Sequence, residues 1–196
     1  MINLILPKTI YHDPDFGRKG KKVYFLAGPI LGGGDWHKEA ILELSKKDPG
    51  CYIACPARYD ESHELYKYSL SDNSKEHSLG SFESQTSWER YYLKIASEKG
   101  TIIFWLPLED VKNPRRNEDG SYARDTRAEI GRWSVRNALR PERWDQFFEM
   151  FVIGAEEGFD GIKQIKINLN EDNGCIWPLY STLDETISKA VKNAYL

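Results

Sequence analysis

A chain of 196 residues is long enough to bury one substantial core and short for two, so a single domain over 1–196 is expected. With 40% hydrophobic and 29% charged residues, and no apolar run near the roughly 20 residues that span a bilayer, the composition is that of an ordinary globular protein and argues against a membrane-crossing helix. A formal charge of −3 without any basic run argues against a surface built to hold nucleic-acid phosphates, which leaves small molecules as the expected partners.

The chain opens on Met1-Ile2-Asn3-Leu4-Ile5-Leu6-Pro7, without the basic start and small-residue cleavage site of a secretory signal, so a cytoplasmic protein is expected. Lys22 to Ala27 is a short apolar run closed by Gly28-Pro29 and reads as a buried central strand. After a glycine-rich turn, residues 35–47 show helical spacing, with Asp35 as N-cap and Trp36, Ala40, Ile41 and Leu44 on one side. Asp48-Pro49-Gly50 ends that helix. Cys51 to Cys55 reads as the second strand, stopped by Pro56. Of the three cysteines, Cys51 and Cys55 fall in this strand and Cys175 is remote, so reduced structural thiols are expected; a metal held by Cys51, Cys55 and a histidine would lack a further ligand.

Residues 57–83 are polar and without periodicity, and read as a long loop of the kind that forms lids or binding segments. A helix is predicted from about 86 to 98, carrying Trp88, Tyr92, Ile95 and Ala96 and closed by Gly100. Thr101 to Leu106 is the third strand, stopped by Pro107, and 108–124 is a second polar loop. A helix over roughly 126–138 follows, then a fourth strand at Phe151-Val152-Ile153, a weaker fifth at Ile165 to Leu169 on its alternation, and a C-terminal helix from about 182.

Strands alternating with helices imply an α/β fold, a parallel five-stranded sheet with helices on both faces. Ligands in such sheets sit at the carboxyl ends of the strands, so the loops after Ala27, Leu106 and Ile153 are expected to converge on one site. Between the first strand and helix, Gly28-Pro29-Ile30-Leu31-Gly32-Gly33-Gly34-Asp35 fits neither the dinucleotide fingerprint nor the P-loop with its lysine. Asp35 at the helix start also places a carboxylate where a phosphate would collect backbone N–H groups, which favours a neutral, hydroxyl-bearing ligand. Gly28, Pro29 and Asp35 are thus candidate substrate contacts, against the plain reading that the glycines only make a tight turn.

Tyr122 to Trp133 opens a helix at the same end of the sheet. Asp125 and Glu129 are four apart and share a helical face, and paired carboxylates are the raw material of glycosyl transfer, in which one attacks the anomeric carbon while another acid protonates the leaving group. The competing reading is that Thr126 and Glu129 form a T-x-x-E capping box, a pattern repeated at Thr86–Glu89 and Thr182–Glu185.

Taken in order, Phe25-Leu26-Ala27-Gly28-Pro29-Ile30, Trp36, Trp88-Glu89, Phe104-Trp105-Leu106-Pro107 and Tyr122 to Trp133 resemble the nucleoside 2-deoxyribosyltransferase family, over about residues 22 to 133, and Gly154 to Gly161 resembles that family's loop after the fourth strand. The resemblance implies a flavodoxin-like, Rossmann-like domain, usually homo-oligomeric, with Glu129 of Thr126-x-x-Glu129-x-Gly131 as nucleophile. It implies base exchange on a deoxyribonucleoside through a glycosyl-enzyme ester, with a nucleoside and a free nucleobase as partners and neither cofactor nor metal. Where many members carry Gly before the Thr this chain has Asp125, and an Asp two residues earlier is replaced by Ala123; the general acid is open among Asp125, Glu89 and Asp110. Trp36 and Trp105 are candidates to sandwich a base, or else core residues. Arg127 is a candidate to hold Glu129 or a substrate oxygen, and Tyr122 a sugar or base contact or a loop anchor. Hydrolysis of a nucleoside or nucleotide at the same bond is the alternative reaction, and a non-catalytic nucleotide-sensing module the alternative of another class.

Overall fold

A computed structural model describes residues 2–70, 78–116, 120–140 and 149–196. The first half of the chain runs β1 (Asn3–Ile5), β2 (Thr9–Tyr11), β3 (Val23–Ala27), α1 (Trp36–Lys47), β4 (Tyr52–Ala54) and β5 (Ser78–Ser81). The second half runs α2 (Gln85–Lys99), β6 (Gly100–Leu106), α3 (Arg124–Ala138), β7 (Phe151–Ala155), α4 (Ile162–Asn173) and α5 (Leu183–Ala194). Five of the strands form one all-parallel sheet in the order β1-β4-β3-β6-β7, while β2 and β5 make a small antiparallel pair beside it. This is a flavodoxin-like α/β fold.

Burial on both faces follows from the strand sequences. Along β3, Val23, Phe25 and Ala27 join one apolar layer and Tyr24 and Leu26 the other; β6 divides Ile102, Phe104 and Leu106 from Ile103 and Trp105 in the same way. The first layer is covered by α2, α3 and α4 through Trp88, Tyr92, Ile130, Trp133 and Leu169; the second by α1 and α5 through Ile41, Leu44, Ile187 and Ala190. Each large apolar side chain so buried contributes roughly 1.5–3 kcal/mol, which is why these strands read as unbroken apolar runs instead of alternating ones.

The strand order positions the site. From β3 the chain moves outward to β4, then crosses back past β3 to β6 on its other side. The loops leaving the carboxyl ends of β3 and β6 therefore diverge, and a crevice opens between them.

Two expected elements are corrected. Ile165 to Leu169 lies within helix α4: Ile165 and Leu169, four apart, are buried while Ile167 between them is exposed, and Gly161 and Gly174, both at positive φ, bound the helix. Alternation over five residues fits either period, and length decides for the helix. The fifth strand is instead β1, a three-residue edge strand too short to stand out from the amino-terminal sequence, paired with β4 from Asn3↔Tyr52 to Ile5↔Ala54. The long polar segment 57–83, in which 71–77 lie outside the described residues, is also not a simple lid. Leu65 is buried, the Leu70 amide donates to the Leu4 carbonyl at 2.7 Å, and β5 returns the chain to pair with β2. Of the loop 108–124, residues 117–119 lie outside the described residues; the Asp110 amide donates to Gly32 O at 2.6 Å and ties it to the loop after β3. No helix among the described residues is long and apolar enough to cross a membrane.

Candidate active site

A cavity of about 690 Å³ lies at the crevice. It is bounded by the loop after β3, the loop after β4 and the amino-terminal turns of α2 and α3, a size within the usual range for small-molecule sites. Gly28, Pro29, Asp35, Glu89, Asp125 and Glu129 line it, as does Arg115 from the loop after β6. The loop after β7 lines none of it and braces the rim instead, with Glu156 accepting from the Leu108 amide at 2.7 Å.

Glu129 is not a helix cap. Helix α3 begins at Arg124, two residues earlier than predicted, with Ala123 as N-cap in the left-handed region (φ 56°). Thr126 and Glu129 are thus inside the helix, beyond reach of a capping box. Likewise α2 is capped by Ser84, whose side chain accepts from the Ser87 amide, so Glu89 is also an interior residue; at Thr182–Glu185 alone does the threonine cap its helix. Among the described residues the Glu129 carboxylate accepts no hydrogen bond and joins no ion pair within 4 Å. Burial pushes it up to about 7; the charges of Glu89 and Asp125 act in the same direction and Arg132 opposes them.

Glu89 stands in the same cavity on α2. Burial and Asp125 raise its carboxyl above the ordinary range, against a hydrogen bond from Gln85 and the charge of Arg58. The Glu89 charge is one cause of the rise at Glu129, so the two carboxylates titrate as a coupled pair. Asp125, 87% exposed and paired with Arg124 at 3.1 Å, stands at the solvent-facing mouth. Asp110 does not line the cavity; hydrogen bonds from the Lys112 amide and Asn113 hold it below the ordinary carboxylate range.

The remaining sequence candidates have supporting positions. Trp36 is buried, its Nε1 donating to Pro29 O at 3.1 Å, and Trp105 lies in the core between β6 and the α1/α5 layer, so neither ring lines the cavity. Gly28 owes its identity to them: a Cβ there would come within 2.4 Å of Trp105 O and 2.5 Å of the Trp36 ring. Tyr122 anchors its loop by donating to Pro107 O at 2.9 Å. Arg127 does not touch Glu129. It reaches across to Asp160 O at 2.7 Å and covers the Phe159 ring, clamping the loop after β7 to α3. Asp35 occupies the N-cap position of α1 without capping it, because its carboxylate accepts from the Tyr59 hydroxyl at 2.6 Å.

Several lining residues escape the sequence reading, Arg115 and Arg124 among them. Arg58 and Tyr59 follow β4, and the rule that pointed to the loops after Ala27 and Leu106 points equally to the one after Cys55. Gln85 precedes the predicted helix start. His37 is 2% exposed and stacks on Trp36 at 3.9 Å; burial pushes it down to about 3, and its Nε2 has no partner among the described residues. The residue borders the cavity, but its Nε2 is shut off from solvent within the packing. No signal in the sequence distinguishes it from a surface histidine. Among the described residues no group of three or more His, Cys, Asp and Glu side chains is arranged to hold a metal ion. In comparisons with known proteins, neither a family model nor a curated sequence matches the chain.

Proposed function

We propose that the protein is a nucleoside 2-deoxyribosyltransferase in which Glu129 attacks the anomeric carbon of a deoxyribonucleoside. The observation that carries this reading is Glu129 itself, a half-buried carboxylate with no hydrogen-bond or ion-pair partner among the described residues and no capping role, beside a second carboxylate in a cavity of small-molecule size. Partial burial of a carboxylate without compensating hydrogen bonds costs stability, and a reaction that requires it explains its presence. In the first half-reaction a bond forms between Glu129 and the sugar as the C–N bond breaks. The electron pair of that bond passes to the base nitrogen, which takes a proton from Glu89. A second base then attacks the same carbon, expels Glu129 and returns its proton to Glu89. The Arg58 guanidinium is available to a base or sugar oxygen. The partners in this reading are a nucleoside and a free nucleobase, with no cofactor, and the chain works as a homo-oligomer in the cytoplasm.

A second reading, hydrolysis of a nucleotide, is favoured by Arg58, Arg115 and Arg124, three guanidinium groups around a cavity whose glycine-rich loop has no lysine. Water then replaces the second base. Incubation with a deoxynucleoside or its 5′-monophosphate, with and without a second base, separates the cases. Exchange of base is expected; base release alone favours hydrolysis, and no reaction with any of them contradicts both readings and leaves a sensor.

A further inference from the structure

We infer that Gln85 is a positioning residue of this site, joining Arg58 to Glu89 through one side-chain amide and holding the Glu89 carboxyl as the proton donor opposite Glu129. The inference rests on the N-glycosidic reading above. Gln85 is the first residue of α2 and Glu89 stands one turn further on, so their side chains meet on one face. The amide makes three hydrogen bonds together: Nε2 donates to Glu89 Oε1 at 2.9 Å and to Pro56 O at 3.2 Å, and Oε1 accepts from Arg58 Nε at 2.8 Å. Only one orientation of the amide serves all three. Turned over, its oxygen would face a carbonyl and a carboxylate, and its NH2 a guanidinium N–H. Helix capping does not require any of them, because Ser84 caps α2.

The consequence concerns which oxygen of Glu89 carries the proton. With Oε1 engaged by Gln85, the proton of a protonated Glu89 sits on Oε2, the oxygen left free to reach a leaving base. Arg58 from the loop after β4 and Asp125 and Arg132 from α3 are the other charged groups acting on the two glutamates. An N–H donor favours the ionised carboxylate, so removing Gln85 makes the pair hold its last proton to higher pH.

Gln85→Met keeps the length of the side chain and deletes all three hydrogen bonds, while Ser84→Ala weakens the same helix end without touching Glu89. Base release by the folded full-length protein, followed from pH 5 to 10, is expected to show kcat for Gln85→Met lower by about tenfold or more. KM should stay near that of the parent, and the alkaline limb of kcat/KM should move to higher pH. Ser84→Ala should keep the parent profile. A Gln85→Met variant with the parent kcat and pH profile, or a Ser84→Ala variant with the same kinetic defect, overturns the role given to Gln85 while the parent remains active. A parent that releases no base overturns the reaction reading itself, an outcome visible before either variant is compared.

Discussion

A carboxylate removed from water either finds a partner or takes up a proton, and Glu129 has no hydrogen-bond or ion-pair partner among the described residues. Its elevation to about 7 from an ordinary 4.5 fixes the sign of two pH effects. The folded state binds this proton more tightly than the unfolded chain, so the stabilisation it brings is complete below about pH 4.5 and lost as pH rises through about 7. Above that range the buried charge is a burden. Glu129→Gln, neutral throughout, should therefore unfold at a higher temperature than the parent at pH 8, by the equivalent of on the order of 1–3 kcal/mol, and show little difference at pH 4.5. Thermal unfolding at the two pH values checks this. Equal destabilisation at both would assign Glu129 a structural role. As a nucleophile Glu129 must be ionised while the pair still holds one proton for the leaving base, so the parent's kcat/KM should fall as pH rises through about 7. His37 works in the opposite sense: held neutral down to about pH 3, it makes the folded state bind fewer protons than the unfolded chain, and stability falls as pH drops below about 6.5.

At the scale of elements, the parts legible in the sequence are those whose pattern has one physical cause. Val23–Ala27, Gly100–Leu106 and Phe151–Ala155 are buried on both faces and appear as apolar runs, the first two ended by Gly28 and Pro107. The helix over Ile162–Asn173 was illegible because Ile165, Ile167 and Leu169 satisfy period two as well as a helical period, and only tertiary burial chooses. Capping was misleading for a related reason. Thr126-x-x-Glu129 has the letters of a box, but the left-handed Ala123 starts α3 earlier and places Glu129 in the cavity. Trp36 and Trp105 flank the right strand ends and yet face the core, because a β-strand alternates its sides and Trp105 falls on the α1/α5 side. Trp36→Phe and Trp105→Phe should accordingly lower stability by roughly 1 kcal/mol or more and leave KM within about threefold of the parent. Chemical denaturation beside steady-state kinetics measures both. A large KM change with unaltered stability would restore the rings to the base-binding role.

For the whole molecule, the order β1-β4-β3-β6-β7 does the positioning. It opens a crevice beside β3, and the helices that follow it deliver Glu89 from α2 and Glu129 from α3 to one cavity although they are forty residues apart. That convergence was readable as a rule about strand ends, whereas the contribution of Arg58, Tyr59 and Gln85 depended on which loops the topology brings inward. The proposed reaction requires Glu129 to form a covalent bond to a sugar. Its most direct test is peptide mass spectrometry after incubation with a 2-fluoro-substituted deoxynucleoside, which slows breakdown of a glycosyl ester. The expected result is the mass of the fluorinated sugar on the peptide containing Glu129, absent from Glu129→Gln. Sugar on Glu89, Asp125 or any other carboxylate, or base release by Glu129→Gln at the parent rate, would contradict it.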